Sequence, residues 1–191
     1  MSMKNILITG VSKGIGRTLA EHFHSLGFYV YGGYKWSENY KDEESLANEL
    51  KEGLQNLTLL PYDFADRKAL DRLVEQLKEV QLEAIINNAA EFLPNSWDNF
   101  DFTLWDRSIA VNMTAPLYLV QKLYHNLREG AGIVNFAHYK TPLGRNATTQ
   151  EIANVAAFLV SDKASFINAA VVAVDGGYSS VDYAIKKEAE R

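Results

Sequence analysis

Residues 9–16 read Thr9-Gly10-Val11-Ser12-Lys13-Gly14-Ile15-Gly16, directly after the apolar run Ile6-Leu7-Ile8 and directly before a helical pattern. A strand, a glycine-rich turn and a helix in that order leave few folds open. The turn delivers the chain to a helix N-terminus whose backbone N–H groups gather negative charge, the arrangement that seats a dinucleotide pyrophosphate.

The pattern then alternates. A helix over about Ile15–Ser25 ends at Gly27, and Phe28–Gly33 reads as a second strand. A polar loop over Tyr34–Tyr40 leads to a helix over Glu43–Glu52, closed by Gly53. Leu57–Pro61 is a third strand, running into Tyr62-Asp63. Leu70, Leu73, Val74, Leu77 and Val80 recur at helical spacing with charges opposite. Ala84–Ile86 is a fourth strand, ending in Asn87-Asn88-Ala89-Ala90. From Thr103 one long helix is expected, kinked at Pro116 and closed by Gly130 and Gly132, before a fifth strand over Ile133–Ala137. Thr148 with Glu151 forms a capping box for a helix over Ile152–Val160, and Ala170–Val174 reads as a last strand before Asp175-Gly176-Gly177. Buried strands alternating with helices predict an α/β fold, a doubly wound parallel sheet of Rossmann type in three α/β/α layers, as one domain over 1–191. The charged tail Lys186–Arg191 is expected to fray.

Composition narrows the function. The chain has no cysteine, so neither a disulfide framework nor a thiol nucleophile is available, which fits a reducing cytoplasm. A net charge of −5 with no basic block argues against nucleic acid, and no apolar run approaches a membrane span. The four histidines (His22, His24, His125, His138) show no metal-ligand spacing. His22 and His24 lie two apart on a helix and cannot face one site.

Together, Thr9–Gly16, Asp63, Asn87-Asn88-Ala89-Ala90, Asn112 and Asp175-Gly176-Gly177 resemble the short-chain dehydrogenase/reductases, and within them the 3-oxoacyl-carrier-protein-reductase-like group. The resemblance covers about residues 4–138 and again 141–178. It implies an oxidoreductase that transfers hydride between a nicotinamide dinucleotide and a small carbonyl substrate. Gly10 allows the tight turn, Gly14 lets backbone approach the pyrophosphate, and Gly16 lets helix and strand pack closely. By the same resemblance Ser12, Lys13 and Ile15 belong to the cofactor turn, and Asp63 faces the adenine. Asn87 and Ala89 lie along the cofactor, and Asn112 holds a water in the proton relay. Ala90 replaces the usual final glycine of its segment.

Cofactor choice follows from charge. An NAD-selective site ends its second strand with a carboxylate, but no Asp or Glu lies between Phe28 and Trp36. Lys35 stands there instead, and Lys13 supplies a second ammonium, so NADP(H) is expected.

The chain departs from the family at the catalytic segment. There the resemblance calls for a serine, then a tyrosine and a lysine four residues apart on one helix face, the cation favouring the phenolate. His138 takes the serine position, and Tyr139 and Lys140 are adjacent, with Thr141-Pro142 following at once. Neighbouring helix positions diverge by about 100°. The missing stretch should carry a helix, a sixth strand and the substrate loop: a crossover unit alone needs about 30 residues, and the resemblance calls for roughly twice that. Three readings stay open: a reductase with altered acid chemistry, an NADP(H)-binding pseudoenzyme or sensor, or a shortened product whose sheet folds but which binds nothing well. The last strand is free to take the vacant place beside strand five, in the order 3-2-1-4-5-last. A homo-oligomer is also open, because relatives assemble through the long helix and the helix that is absent.

Overall fold

The computed structural model describes residues 3–36, 41–135, 147–168 and 170–175. Strand β1 (Lys4–Thr9) lies at the centre of a parallel sheet with β2 (Phe28–Tyr34), β3 (Leu57–Pro61), β4 (Leu82–Asn87) and β5 (Leu127–Asn135), in the order β3-β2-β1-β4-β5. Ile6 pairs with Val30 on one side and Ala84 on the other. The helices are α1 (Gly14–Ser25), α2 (Lys41–Gly53), α3 (Arg67–Leu77), α4 (Phe102–Ile109), α5 (Ala115–Lys122) and α6 (Thr149–Val160).

Successive side chains of a strand point to opposite faces. Ile6 and Ile8 accordingly pack with Leu19, Phe23 and Ile86, and with Ala153 and Ala156 of α6. Leu7 joins Leu60, Leu70, Leu73, Ile85 and Leu119 on the opposite face. Both faces of β1 are thus covered, which is why its sequence is an unbroken apolar run rather than an alternating one. Polar caps fix the helix starts. Asp66 accepts from Lys68 N at 2.9 Å, and Asp101 from Thr103 N at 2.8 Å. The capping box at Thr148 and Glu151 forms with both bonds, 2.8 and 3.2 Å. No described helix is long and apolar enough to cross a membrane.

Three expectations are corrected. The long helix runs unbroken as α4, a π turn over Ala110–Thr114, and α5, but it ends at Lys122 rather than at Gly130 and Gly132. Pro116 has no N–H to give the carbonyl of residue 112 and its ring crowds that carbonyl, so the widened turn falls just before it. Strand β5 begins at Leu127, well before Ile133. Its register shifts between the pairs Leu82–Leu127 and Ala84–Gly132, absorbing Gly130 in a left-handed conformation (φ +78°). Finally, residues 170–174 form no strand, and the described sheet has five strands. Val171 is fully exposed. Residues 136 and 137, which the sequence adds to strand five, and the turn residues Gly176 and Gly177 lie outside the described residues, as do 186–191.

Candidate dinucleotide-binding site

The glycine turn is pinned from two sides. Gly10 N and Val11 N both donate to Gly33 O at the end of β2, at 2.7 and 3.0 Å. From β4, Asn88 Nδ2 donates to the carbonyls of Thr9 and Gly10, both at 2.9 Å. In return Thr9 Oγ1 accepts from Asn88 N and Ala89 N, at 3.0 and 2.9 Å. Strand β1 and the Asn87–Ala90 segment are therefore one polar clamp, and Thr9 and Asn88 are working members that motif reading left without a role.

The glycines fit the turn physically. A Cβ on Gly16 would stand 1.8 Å from Gly10 O, so nothing larger allows α1 to start where it does. Gly14 adopts φ +59° with open space in front of it. Lys13 stands at the N-cap of α1 without a side-chain cap bond, and the first turn carries no acidic residue. The amide groups of Gly14, Ile15 and Gly16 thus open a helix whose dipole has no anion from its own cap. At the neighbouring strand end, Asn87 is 7% exposed and its Nδ2 donates to Asn135 Oδ1 at 2.9 Å. Its own Oδ1 is buried with no hydrogen-bond partner among the described residues. A buried acceptor left unpaired beside an uncapped helix start suits a ligand that brings both an anion and a donor.

The charged residues arrange themselves differently from the sequence expectation. Lys13 Nζ reaches Glu43 Oε1 at 2.5 Å, and Ser12 Oγ donates to Glu43 Oε2. Lys35 Nζ donates to Glu91 Oε1. Arg107 on α4 spans Glu91 and Asp63: Nε to Glu91 Oε2 at 2.7 Å, Nη2 to Glu91 Oε1 at 2.9 Å and to Asp63 Oδ1 at 3.0 Å. Asp63 Oδ1 also accepts from Ala65 N at 2.9 Å. Burial by itself pushes the Glu91 carboxyl up, but the Arg107 and Lys35 hydrogen bonds and charges outweigh it and hold the group below its ordinary value. Glu43 is lowered in the same way, burial being outweighed by Lys13 and Ser12 and by the charge of Lys35. Arg107 is raised, first by its bond to Glu91. Glu43, Glu91 and Arg107 were not among the site residues expected from the sequence. Their partners lie 30, 56 and 44 residues away, beyond any local pattern.

Asn112 lies in the π turn and is exposed. Its Oδ1 accepts from Glu91 N at 2.9 Å and its Nδ2 donates to Glu91 O at 2.8 Å. It therefore fixes the backbone that carries the Glu91 carboxylate.

His138, Tyr139 and Lys140 lie outside the described residues. The tyrosine–lysine spacing missed in the sequence reading does occur on α5, as Tyr118 and Lys122. Tyr118 faces α3: its hydroxyl donates to Asp71, and the Arg67 guanidinium stacks 3.9 Å from its ring centre, with Lys122 Nζ 5.6 Å from the same centre. The bond to Asp71 raises the Tyr118 hydroxyl, the reverse of what a phenolate base needs. The same spacing at Tyr183 and Lys187 is outside the described residues.

Comparison with known proteins places this geometry. The sequence profile of the family described as "short chain dehydrogenase" matches residues 4–141, and one described as "Enoyl-(Acyl carrier protein) reductase" matches 135–179. The chain is 27% identical over 156 residues to the short-chain dehydrogenase/reductase FrzI of Cladobotryum sp, covering 81% of this chain and 60% of that protein. It is 31% identical over 126 residues to the NADPH-dependent 3-dehydrocapnine reductase of Ornithobacterium rhinotracheale, covering 63% and 42%. The chain thus spans about half the length of these curated relatives. Its fold is similar to the crystal structure of a blue fluorescent protein from a metagenomic library in complex with NADPH, with a TM-score of 0.79 at 18% identity, covering 92% of this chain and 98% of that one.

Proposed function

The chain belongs to the short-chain dehydrogenase/reductases, and from that premise we propose that it binds NADP(H) at the β1–α1 turn and acts as an oxidoreductase on a small carbonyl compound. The observation that carries the binding half is the pairing of an uncapped α1 N-terminus with the unpartnered, buried Oδ1 of Asn87. In this reading Gly10, Ser12, Lys13, Gly14, Ile15 and Gly16 hold the pyrophosphate and the adenosine end, and Lys35 serves the ribose 2′ side. Asp63 lies toward the adenine, and Asn87 and Ala89 line the nicotinamide side. The bound cofactor supplies hydride, and this chain's residues bind and orient it. Two relatives point to the phosphorylated dinucleotide: the reductase named as NADPH-dependent and the structure solved with NADPH. Asn112 acts by holding the Glu91 segment rather than by touching substrate. We propose one dinucleotide-binding unit over 1–191.

A second reading, a cofactor-holding protein without turnover, is favoured by one observation. His138-Tyr139-Lys140 stands where the family places its catalytic segment, and Thr141-Pro142 follows directly. The experiment is a titration with NADPH and NADH followed by the fluorescence of Trp36, Trp97 and Trp105, then a carbonyl panel read by loss of reduced-nicotinamide absorbance. Saturable binding with turnover supports the oxidoreductase, and binding without turnover supports the holder. No binding of either cofactor ends both readings.

A further inference from the structure

The carboxylate of Glu43 sits in a place that suits another anion. One oxygen accepts from Ser12 Oγ and the other from Lys13 Nζ, a two-point grip of the kind a phosphate takes from a hydroxyl and an ammonium. Ser12 is buried, and the Glu43 side chain is 16% exposed against 71% for Lys13. The sheltered partner is therefore the carboxylate, and the ammonium has come to it. Lys35, whose charge also acts on Glu43, is bonded to Glu91. Two cations thus face two carboxylates. A third anion entering here gains Lys13 and Ser12 only by displacing Glu43.

We infer that Glu43 is the specificity-determining residue of the cofactor site: its carboxylate occupies the Ser12–Lys13 anion place and holds down the preference for a 2′-phosphorylated dinucleotide. This rests on the cofactor reading above. A 2′-phosphate must expel the carboxylate and meets its charge. A 2′-hydroxyl meets an acceptor instead, so NAD(H) pays no such electrostatic cost. The residue lies in the first turn of α2, contributed by a different element from the strand end where a discriminating carboxylate is ordinarily sought.

The test compares wild type, Glu43→Gln, Glu43→Ala and Glu44→Gln by calorimetric titration with NADPH, NADH and adenosine 2′,5′-bisphosphate. Removing the Glu43 charge tightens NADPH and the bisphosphate by about fivefold relative to NADH, the range of a partly exposed ion pair. Glu44→Gln removes the same charge one residue along the same helix and leaves the ratio unchanged. Asp42 and Glu44 keep the first turn of α2 acidic in the Glu43 variants, so the helix start is retained. An unchanged NADPH-to-NADH ratio in both Glu43 variants, with binding intact, overturns the inference and leaves the cofactor reading standing. An equal gain in Glu44→Gln also overturns it, because the effect is then general charge. Failure of wild type and variants to bind any of the three ligands removes the cofactor reading and this inference with it.

Discussion

The two sides of the sheet are built to different standards. Around β1, β2 and β4, strands are covered on both faces: Ile6, Leu7, Ile8, Ile85 and Ile86 are fully buried, and the turn beyond them is clamped by Thr9 and Asn88. On the β5 side, Ile133 is 45% exposed, the register slips, and Phe166 and Val171 stand in solvent. The contrast teaches where precision is needed. A turn that must present backbone N–H groups to an anion tolerates no shift, so it is buttressed by backbone contacts from both neighbouring strands. The outer strand has only to cover one side of β4, and an irregular register suffices.

Substitution at paired glycines should break or sharpen that contrast most strongly. Gly16→Ala puts a methyl against Gly10 O and Asn88 Nδ2, and is expected to cost more than about 4 kcal/mol in urea denaturation. Gly132→Ala on β5 meets Val160 Cγ2 at 3.1 Å, a contact relieved by a shift of a few tenths of an ångström, and should cost less than about 1 kcal/mol. Equal costs would erase the distinction. The same comparison in apolar residues is milder. Ile86→Ala should lose about 3 kcal/mol and Ile133→Ala under about 1 kcal/mol, measured the same way.

At the boundary between the two sides, Nδ2 of the buried Asn126 lies 2.9, 2.8 and 3.0 Å from the carbonyls of Leu77, Lys78 and Val80, its two N–H groups shared among the three acceptors. Those carbonyls close α3 and lead into β4, so Asn126→Ala should cost about 2 kcal/mol by stranding them. A loss below about 0.5 kcal/mol would mean that water replaces the amide.

The smallest effect concerns pH. Glu91 is held below its ordinary value in the folded protein, so its contribution is present above the unfolded carboxyl value and disappears as the pH falls through the folded one. Glu91→Gln should therefore cost about 1 kcal/mol at neutral pH. The gap should close only as the pH falls beneath the ordinary carboxyl range and through the lowered folded value, where the wild-type carboxylate is protonated too. A gap that persists in acid would show that Glu91 acts through shape rather than charge.

The same division runs through what could be read from the sequence. The apolar centres of β1 and β4 stand out because burial on both faces makes their apolar runs continuous, and Gly10, Gly27 and Gly53 punctuate the alternation of strands and helices. Beyond β4, local pattern misleads. Gly130 and Gly132 read as a helix end but lie inside a strand that bulges, and Val171-Val172-Ala173-Val174 has strand composition yet pairs with no strand among the described residues. Pairing is a non-local property that composition does not carry. The site divides likewise. The glycine spacing is written in one short stretch, while Glu43 and Glu91 reach Lys13 and Lys35 only through the fold. Lys35 in the stretch Phe28–Trp36 and Lys13 in the glycine turn are therefore legible as two cations, while the carboxylates that face them lie elsewhere in the chain.

The central claim is that the β1–α1 turn and the end of β4 together form a dinucleotide seat. Amide hydrogen exchange with and without saturating NADPH tests it most directly. The account predicts new protection over Gly10–Gly16 and Asn87–Glu91, with β5 and residues 147–175 unchanged. Protection confined to the β5 side, or none in the glycine turn at saturation, would contradict it.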